Sequence, residues 1–308
     1  MVSHACRALG VSESGYYAWR VRPASARKLR WIWLAGEITD VHRESGGTYG
    51  AHRIRAELRY GRSIQAGHNQ IARIMRDIGL HGTPHRRLPK GVKVGKATSL
   101  DLVRRAFRRD RPNQLWMTDI TEHTTREGKL YCAVVLDAFS RMIVGWAIDT
   151  TQTTRLVTDA LSMAVHRRGP HNGLVLHSDR GVQFTSWAFS QKIRDAGIAP
   201  SVGAVGSPYD NAMVESFWGR MQVELLNRRR WKTRVELATA ISDYIDRFHN
   251  TRRRHNALGM LTPTEYEHHH TMNENRRGPF GPADPVQPAS PGALAGVENT
   301  TTPNRKIA

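Results

Sequence analysis

Leu115-Trp116-Met117-Thr118-Asp119 and Leu174-Val175-Leu176-His177-Ser178-Asp179 are two apolar runs of strand length, each ending on an aspartate. Around the first, Leu115 to His123, Leu130 to Asp137 and Met142 to Asp149 read as three consecutive strands, with Glu127 and Gly128 turning the first into the second, which predicts an antiparallel meander. In the second strand both alternating sets are apolar: Leu130, Cys132, Val134 and Leu136 on one side, Tyr131, Ala133 and Val135 on the other. A strand apolar on both faces must be covered by helices on both faces. The sequence supplies them in Thr154 to Val165, with Leu156, Val157, Ala160, Leu161 and Ala164 on one face, and in Trp187 to Ala196, stopped at Gly197. Leu174 to Leu176 lies between them as a short buried strand, giving the order βββαβα. An extended stretch from Ile198 to Val205 follows. A helix capped near Asp210 then carries Met213, Phe217, Met221 and Leu225 at four-residue intervals, and a last one, Val235 to His249, buries Ala238, Ile241, Ile245 and Phe248 before Thr251-Arg252-Arg253-Arg254. The fold class is α/β.

An acid at the end of an apolar strand is costly unless something pairs with it. Strand ends that stop at one rim of a sheet bring Asp119 and Asp179 within reach of a single cation, and hard oxygen ligands suit Mg²⁺ or Mn²⁺ rather than zinc. A third acid, Glu215, lies off the Met213/Phe217/Met221 stripe, and its helical neighbours Asn211, Gly219 and Gln222 carry no charge. Taken singly, each acid reads as a turn former or a solvated helix residue. Together they would repel one another unless divalent ions kept them ionised. The chemistry that three such carboxylates imply is displacement at phosphorus with two ions about 4 Å apart.

The flanks point to a polyanion. The 308 residues carry 46 Lys and Arg against 27 Asp and Glu, a net charge of +19, and residues 1–110 hold 22 of the basic side chains against 8 acids. A surplus gathered in one flank suggests a nucleic-acid-binding arm on a nearly neutral working core. In that arm Ala5 to Trp19 reads as two short helices broken at Gly10, with Ser12 as N-cap. Tyr49 to Leu58 and His68 to Ile78 form a second pair closed by Gly79, with Arg53, Arg55, Arg59, Arg73 and Arg76 at outward positions. Of these, Arg53, Arg73 and Arg76 are the candidate DNA contacts. The domain reading is a helical, helix-turn-helix-like region 1–82, a basic linker 83–111, an α/β core with its C-terminal helices 112–270, and a disordered tail 271–308 rich in Pro, Gly, Asn and Thr. With 39% hydrophobic residues, no apolar run of membrane-spanning length, and only Cys6 and Cys132, neither a membrane protein nor a disulfide scaffold is expected. Residues 1–10 lack the apolar core of a secretory signal, so a reducing cytoplasm is the expected location.

The segments Trp116-Met117-Thr118-Asp119, His177-Ser178-Asp179-Arg180-Gly181-Val182-Gln183-Phe184 and Tyr209-Asp210-Asn211-Ala212-Met213-Val214-Glu215-Ser216-Phe217 strongly resemble the DDE transposases of the IS3 family, a branch of the retroviral-integrase superfamily. Asp179 and Glu215 are 36 positions apart, as that family's pattern requires. The similarity runs from Leu9-Gly10-Val11-Ser12 and Ser14-Gly15-Tyr16-Tyr17 through Tyr49-Gly50 to Leu261-Thr262-Pro263, most of the chain except the tail. It implies an RNase H-like integrase catalytic core, a mixed five-stranded sheet flanked by helices, in which Asp119, Asp179 and Glu215 bind two Mg²⁺ ions, with Mn²⁺ able to substitute. It further implies cleavage at transposon ends followed by strand transfer into target DNA, a homo-oligomer on the DNA, and an upstream product, ORF A, or its frameshift fusion as partner. One departure stands out: where many relatives carry Lys or Arg seven positions after the glutamate, this chain has Gln222, leaving that contact to Arg220.

Weaker signals accompany these. Arg180, Gln183 and Asn211 flank the acids and are read either as DNA contacts or as turn caps. Trp116 and Trp187 read as core residues rather than base-stacking platforms. His81 and His85 lack the paired cysteines of a zinc module. Against a strand-transfer enzyme stands a catalytically decayed transposase acting only as a DNA-binding regulator of its own element, which would bind salt-sensitively without metal-dependent cleavage. A ribonuclease on the same core is disfavoured by the basic arm.

Overall fold

The computed structural model describes residues 2–83, 109–169, 173–179, 181–202 and 212–277. Residues 1–270 form one compact unit and 271–308 a second. Among the described residues, no helix is long and apolar enough to cross a membrane.

The meander forms as expected. β1 (Leu115–Thr125), β2 (Gly128–Asp137) and β3 (Ile143–Asp149) pair antiparallel, while β4 (Val175–Ser178) joins β1 and β5 (Ala199–Val202) joins β4 in parallel, in the order β3-β2-β1-β4-β5. Gly128 makes the first turn at φ 119°, a conformation that suits glycine. The alternation in β2 divides the core in two. Cys132, Val134 and Leu136, with Leu115 and Met117 of β1, pack on α8 (Ala212–Glu224) and α9 (Arg234–Asp243). Ala133 and Val135, with Trp116, pack on α6 (Thr154–Arg168) and α7 (Trp187–Asp195). α6 settles close on β3 because Gly145 has no side chain: a Cβ there would lie 2.2 Å from the carbonyl oxygen of Ala160.

In the basic flank, α1 (Val2–Ala8) and α2 (Glu13–Val21) meet at Gly10, and Ser12 caps α2 by accepting from the Gly15 amide. α4 (Ala51–Gly61) and α5 (His68–Asp77) bury Ile54, Leu58, Ile71 and Ile74 against one another, and Gly79 follows at φ 72°. The sequence reading missed α3 (Ala26–Glu44), which buries Leu34, Ile38 and Val41 on the same cluster. Its first half alternates Leu29, Trp31, Ile32 and Trp33 with basic residues around the whole circumference, so no apolar stripe marks it, and Leu29, Ile32 and Trp33 stay exposed.

Three further expectations are corrected. The single helix read over Val235 to His249 becomes α9 followed by a π-helical turn, Tyr244–His249. Trp187 is 76% exposed rather than core, because it opens α7 directly after its N-cap, Ser186, while Phe189 and Ile193 take the buried face. α10 (Pro263–Arg277) carries helix into the stretch read as tail. The greater part of the linker, 84–108, the remainder of the tail, 278–308, and Asp210, read as the cap of α8, lie outside the described residues.

Candidate active site

Leu115, Met117 and, by the two-residue period of a strand, Asp119 face the α8 side of the sheet. In the parallel pair, Leu115 lies against Val175, Trp116 against Leu176 and Met117 against His177. The same offset sets position 179 beside position 119, on strands about 4.8 Å apart. Asp119 is not at a strand end as expected: it lies within β1, which its pairing with β2 carries on to Thr125, just past the rim where β4 stops, and Asp179 is the first residue after β4. Glu215 sits exposed in the first turn of α8, while Val214, Phe217 and Met221 anchor that helix on β1.

Asp119 is the electrostatic centre of this rim. Its Oδ2 accepts a hydrogen bond from the Trp218 indole Nε1 at 3.0 Å. Burial pushes its carboxyl up to about 6; the Ile120 amide and the Trp218 indole oppose the rise, and the charges of Asp179 and Glu215 add to it. Asp179 and Glu215 thus both act on Asp119, although among the described residues no three Asp, Glu, His or Cys side chains stand close enough together to hold a metal ion. An oxygen-only donor set whose charges crowd a half-buried carboxylate fits a hard divalent cation, since neutralising that charge relieves its cost. Asp179 is exposed and accepts from the Gly181 amide at 2.9 Å, which holds the turn leaving β4.

The other sequence candidates divide. Arg73 and Arg76 are exposed on α5, together with Arg55 and Arg59 of α4. Arg53, read as outward, is turned inward: its side chain is 16% exposed and meets Glu224 at 3.4 Å. The reason is Arg253, which forms a two-pronged pair with Glu224 at 2.7 and 2.8 Å, supported by the Tyr244 hydroxyl at 2.9 Å. Tyr49 receives the Arg254 amide at 2.8 Å and donates to the Arg252 carbonyl at 3.0 Å, and Arg254 bonds Glu57 at 2.6 Å. The arginine run after the π-turn is therefore in large part a joint between α4 and the core. Arg220 is partly buried on α8, Gln183 donates to the Gln152 carbonyl at 3.2 Å, and Gln222 bonds Asn227. Arg180, Asn211 and His85 lie outside the described residues. Sequence reasoning did not find Trp218, whose one available signal was its place three residues after Glu215, on the same side of a helix.

Residues 109–208 and 196–263 each match the integrase core domain, and residues 33–87 match an HTH-like domain. The transposase for insertion sequence element IS629 from Shigella sonnei is 37% identical over 269 residues, covering 85% of this chain and 90% of that protein. The chain belongs to the insertion-sequence transposases of the IS3 family. The transposase for IS904 from Lactococcus lactis subsp. lactis (strain IL1403) is 34% identical, covering 80% of this chain and 97% of its own, and the transposase InsF for IS3A from Escherichia coli (strain K12) is 33% identical, covering 85% and 92%. The five-stranded mixed sheet with its flanking helices is thus the integrase catalytic core fold, preceded by a helical HTH-like domain. This transposase is a polynucleotidyl transferase by family, and both of its domain types imply DNA binding.

Proposed function

We propose that this transposase cuts the ends of its insertion sequence and joins them to target DNA with Asp119, Asp179 and Glu215 as the ligands of two Mg²⁺ ions, Mn²⁺ substituting. The observation that supports the reading is that the charges of Asp179 and Glu215 reach the half-buried Asp119. Divalent ions held there supply the positive charge that a displacement at phosphorus needs on its attacking and leaving oxygens. The chain's own part is orientation. Trp218 fixes one oxygen of Asp119, the Gly181 amide fixes Asp179, and the anchored face of α8 presents Glu215 to both. The exposed arginines Arg73 and Arg76 grip the DNA, with Arg180, Gln183, Asn211 and Arg220 nearer the acids. The working form is an oligomer on the terminal inverted repeats, made with the upstream product or as a fusion to it.

The test is incubation of the full chain, with the upstream product where required, on labelled terminal repeats in Mg²⁺. Nicked and joined products are expected, and Asp119→Asn, Asp179→Asn and Glu215→Gln should each abolish both while retaining DNA binding. Full activity in any of the three overturns the assignment. Salt-sensitive DNA binding without cleavage in any divalent cation points instead to a decayed, regulatory transposase.

A further inference from the structure

Between the first turns of α8, the π-turn and α4 lies a cavity of about 320 Å³, within the range of small-ligand sites. Its wall carries four guanidinium side chains, Arg53, Arg141, Arg220 and Arg253, and two imidazoles, His249 and His255, with no carboxylate among the described residues that line it. Glu224 braces Arg53 and Arg253 but is not part of the wall. Leu136, Met213 and Phe217 supply the apolar part of the wall, and the guanidinium groups suit the pocket to an anion with several oxygens, because they offer paired N–H donors to phosphate. Ala212, Met213 and Ser216, from the start of the 13-residue helix α8, complete one side, adding the positive end of a helix to the arginines.

The charges bear this out from a second direction. Burial and the neighbouring Arg253 and Arg220 bring the Arg53 guanidinium down to about 10, and burial with Arg253 lowers Arg220. Burial, with Arg253 adding to it, holds His249 at about 4, so this imidazole is neutral at physiological pH. The cations are held close enough to repel one another.

We propose that this cavity is a phosphate-binding pocket that takes one backbone phosphodiester of the DNA and so sets the position of the strand along α8 relative to Glu215. The proposal rests on the strand-transfer reading for the source of the phosphate, not for the existence of the pocket. Ser216, which lines it, is the residue after Glu215 on α8, so a strand seated here lies one helical step round from that glutamate.

Two arms of one experiment on the full chain separate these points. In the first, inorganic phosphate is titrated at low salt while the ring proton signals of His249 and His255 are followed by NMR. A saturable shift is expected, with affinity reduced about tenfold in Arg220→Gln and in Arg141→Gln, the second variant guarding against a folding defect in the first. No saturable shift, or one unchanged in both variants, overturns the pocket. In the second arm, single neutral methylphosphonates are walked along the terminal-repeat duplex. One position is expected to weaken wild-type binding about tenfold and Arg220→Gln binding less than twofold, and the slope of log K against log salt should fall by about 0.9 in the variant. Independent effects of the two changes overturn DNA as the source. If phosphate binds but DNA does not, the strand-transfer reading fails while the anion pocket stands.

Discussion

Glu224→Gln should cost this transposase several kcal/mol of stability although it lies nine residues from the nearest candidate catalytic acid. The Glu224 side chain is 5% exposed and that of Arg253 1%, so the pair is shielded from water and salt. Arg253 with its two-pronged bond, together with Arg53 and the Tyr244 hydroxyl, outweighs the burial that would raise the Glu224 carboxyl and brings it from 4.5 to about 2. That fall corresponds to on the order of 3 kcal/mol of differential stabilisation of the charged form. It agrees with the ~3–5 kcal/mol typical of breaking a buried ion pair by removing one partner. The sign for acid is fixed by the same lowering. The contribution is complete above pH 4.5 and is lost as pH falls toward 2, so wild type and variant should converge in stability at low pH. Urea unfolding at pH 7 reads the cost directly, and a fall in melting temperature of ~10 °C should accompany it. The cost arises from uncovered positive charge, so pairing Glu224→Leu with Arg253→Met should recover most of it. A loss in Glu224→Gln below about 1 kcal/mol, or a double variant as unstable as the single, would refute the account.

In an Asp119→Asn background, which removes the opposing titration of that carboxyl, lowering the pH from 6.5 to about 4 should destabilise the fold by on the order of 3 kcal/mol through His249, whose ring is held neutral in the folded chain by burial and by Arg253 while the unfolded chain takes up a proton; a urea midpoint of that variant independent of pH across the window would contradict it. Gly145→Ala should cost at least ~2 kcal/mol in thermal unfolding, because its methyl group meets the backbone of α6 and a rigid helix cannot yield as a side chain can. Trp187→Ala should change stability by less than ~0.5 kcal/mol, since the side chain is exposed; a loss of core size would restore the sequence-based reading of it.

Two-sided burial of β2 was legible because seven consecutive residues alternate between two apolar sets, and a single strand with that pattern dictates helices on both faces. The side of the sheet that Asp119 takes was legible for the same reason: period two carries it onto the face that Leu115 and Met117 define. α3 was not, since its burial is confined to Leu34, Ile38 and Val41 while its first turns carry unburied tryptophan and isoleucine, so periodicity averages away. Arg53 escaped for a different reason. Its burial depends on Glu224 and Arg253, 171 and 200 positions away, and local pattern carries no information about partners that distant. The π-turn at Tyr244–His249 falls in this class too, as it rotates Tyr244 toward Glu224 without altering composition.

Two acids of the sheet are raised on folding and differ in what surrounds them. Asp137, at the end of β2, is fully buried, which raises its carboxyl, and the amides of Asn113 at 2.7 Å and Phe139 at 2.8 Å oppose the rise; it also accepts the Ser140 amide at 3.3 Å. Asp119 is supported by the adjacent Ile120 amide and by the Trp218 indole from another element, faces two further acids, and its carboxyl rises from 3.8 to about 6. A carboxyl raised on folding stabilises below pH 3.8, and that stability is lost as pH rises through 6, by up to about 3 kcal/mol. Asp119→Asn should therefore unfold at higher urea than wild type at pH 8 with divalent cations chelated, and no differently at pH 4. Added Mg²⁺ should narrow the gap at pH 8 by stabilising wild type and leaving Asp119→Asn unmoved, because only the charged carboxylate gains from a cation. An Asp119→Asn chain less stable than wild type at pH 8 without metal would mean that its charge is already compensated within the fold, and the rim would then have no electrostatic reason to take up ions.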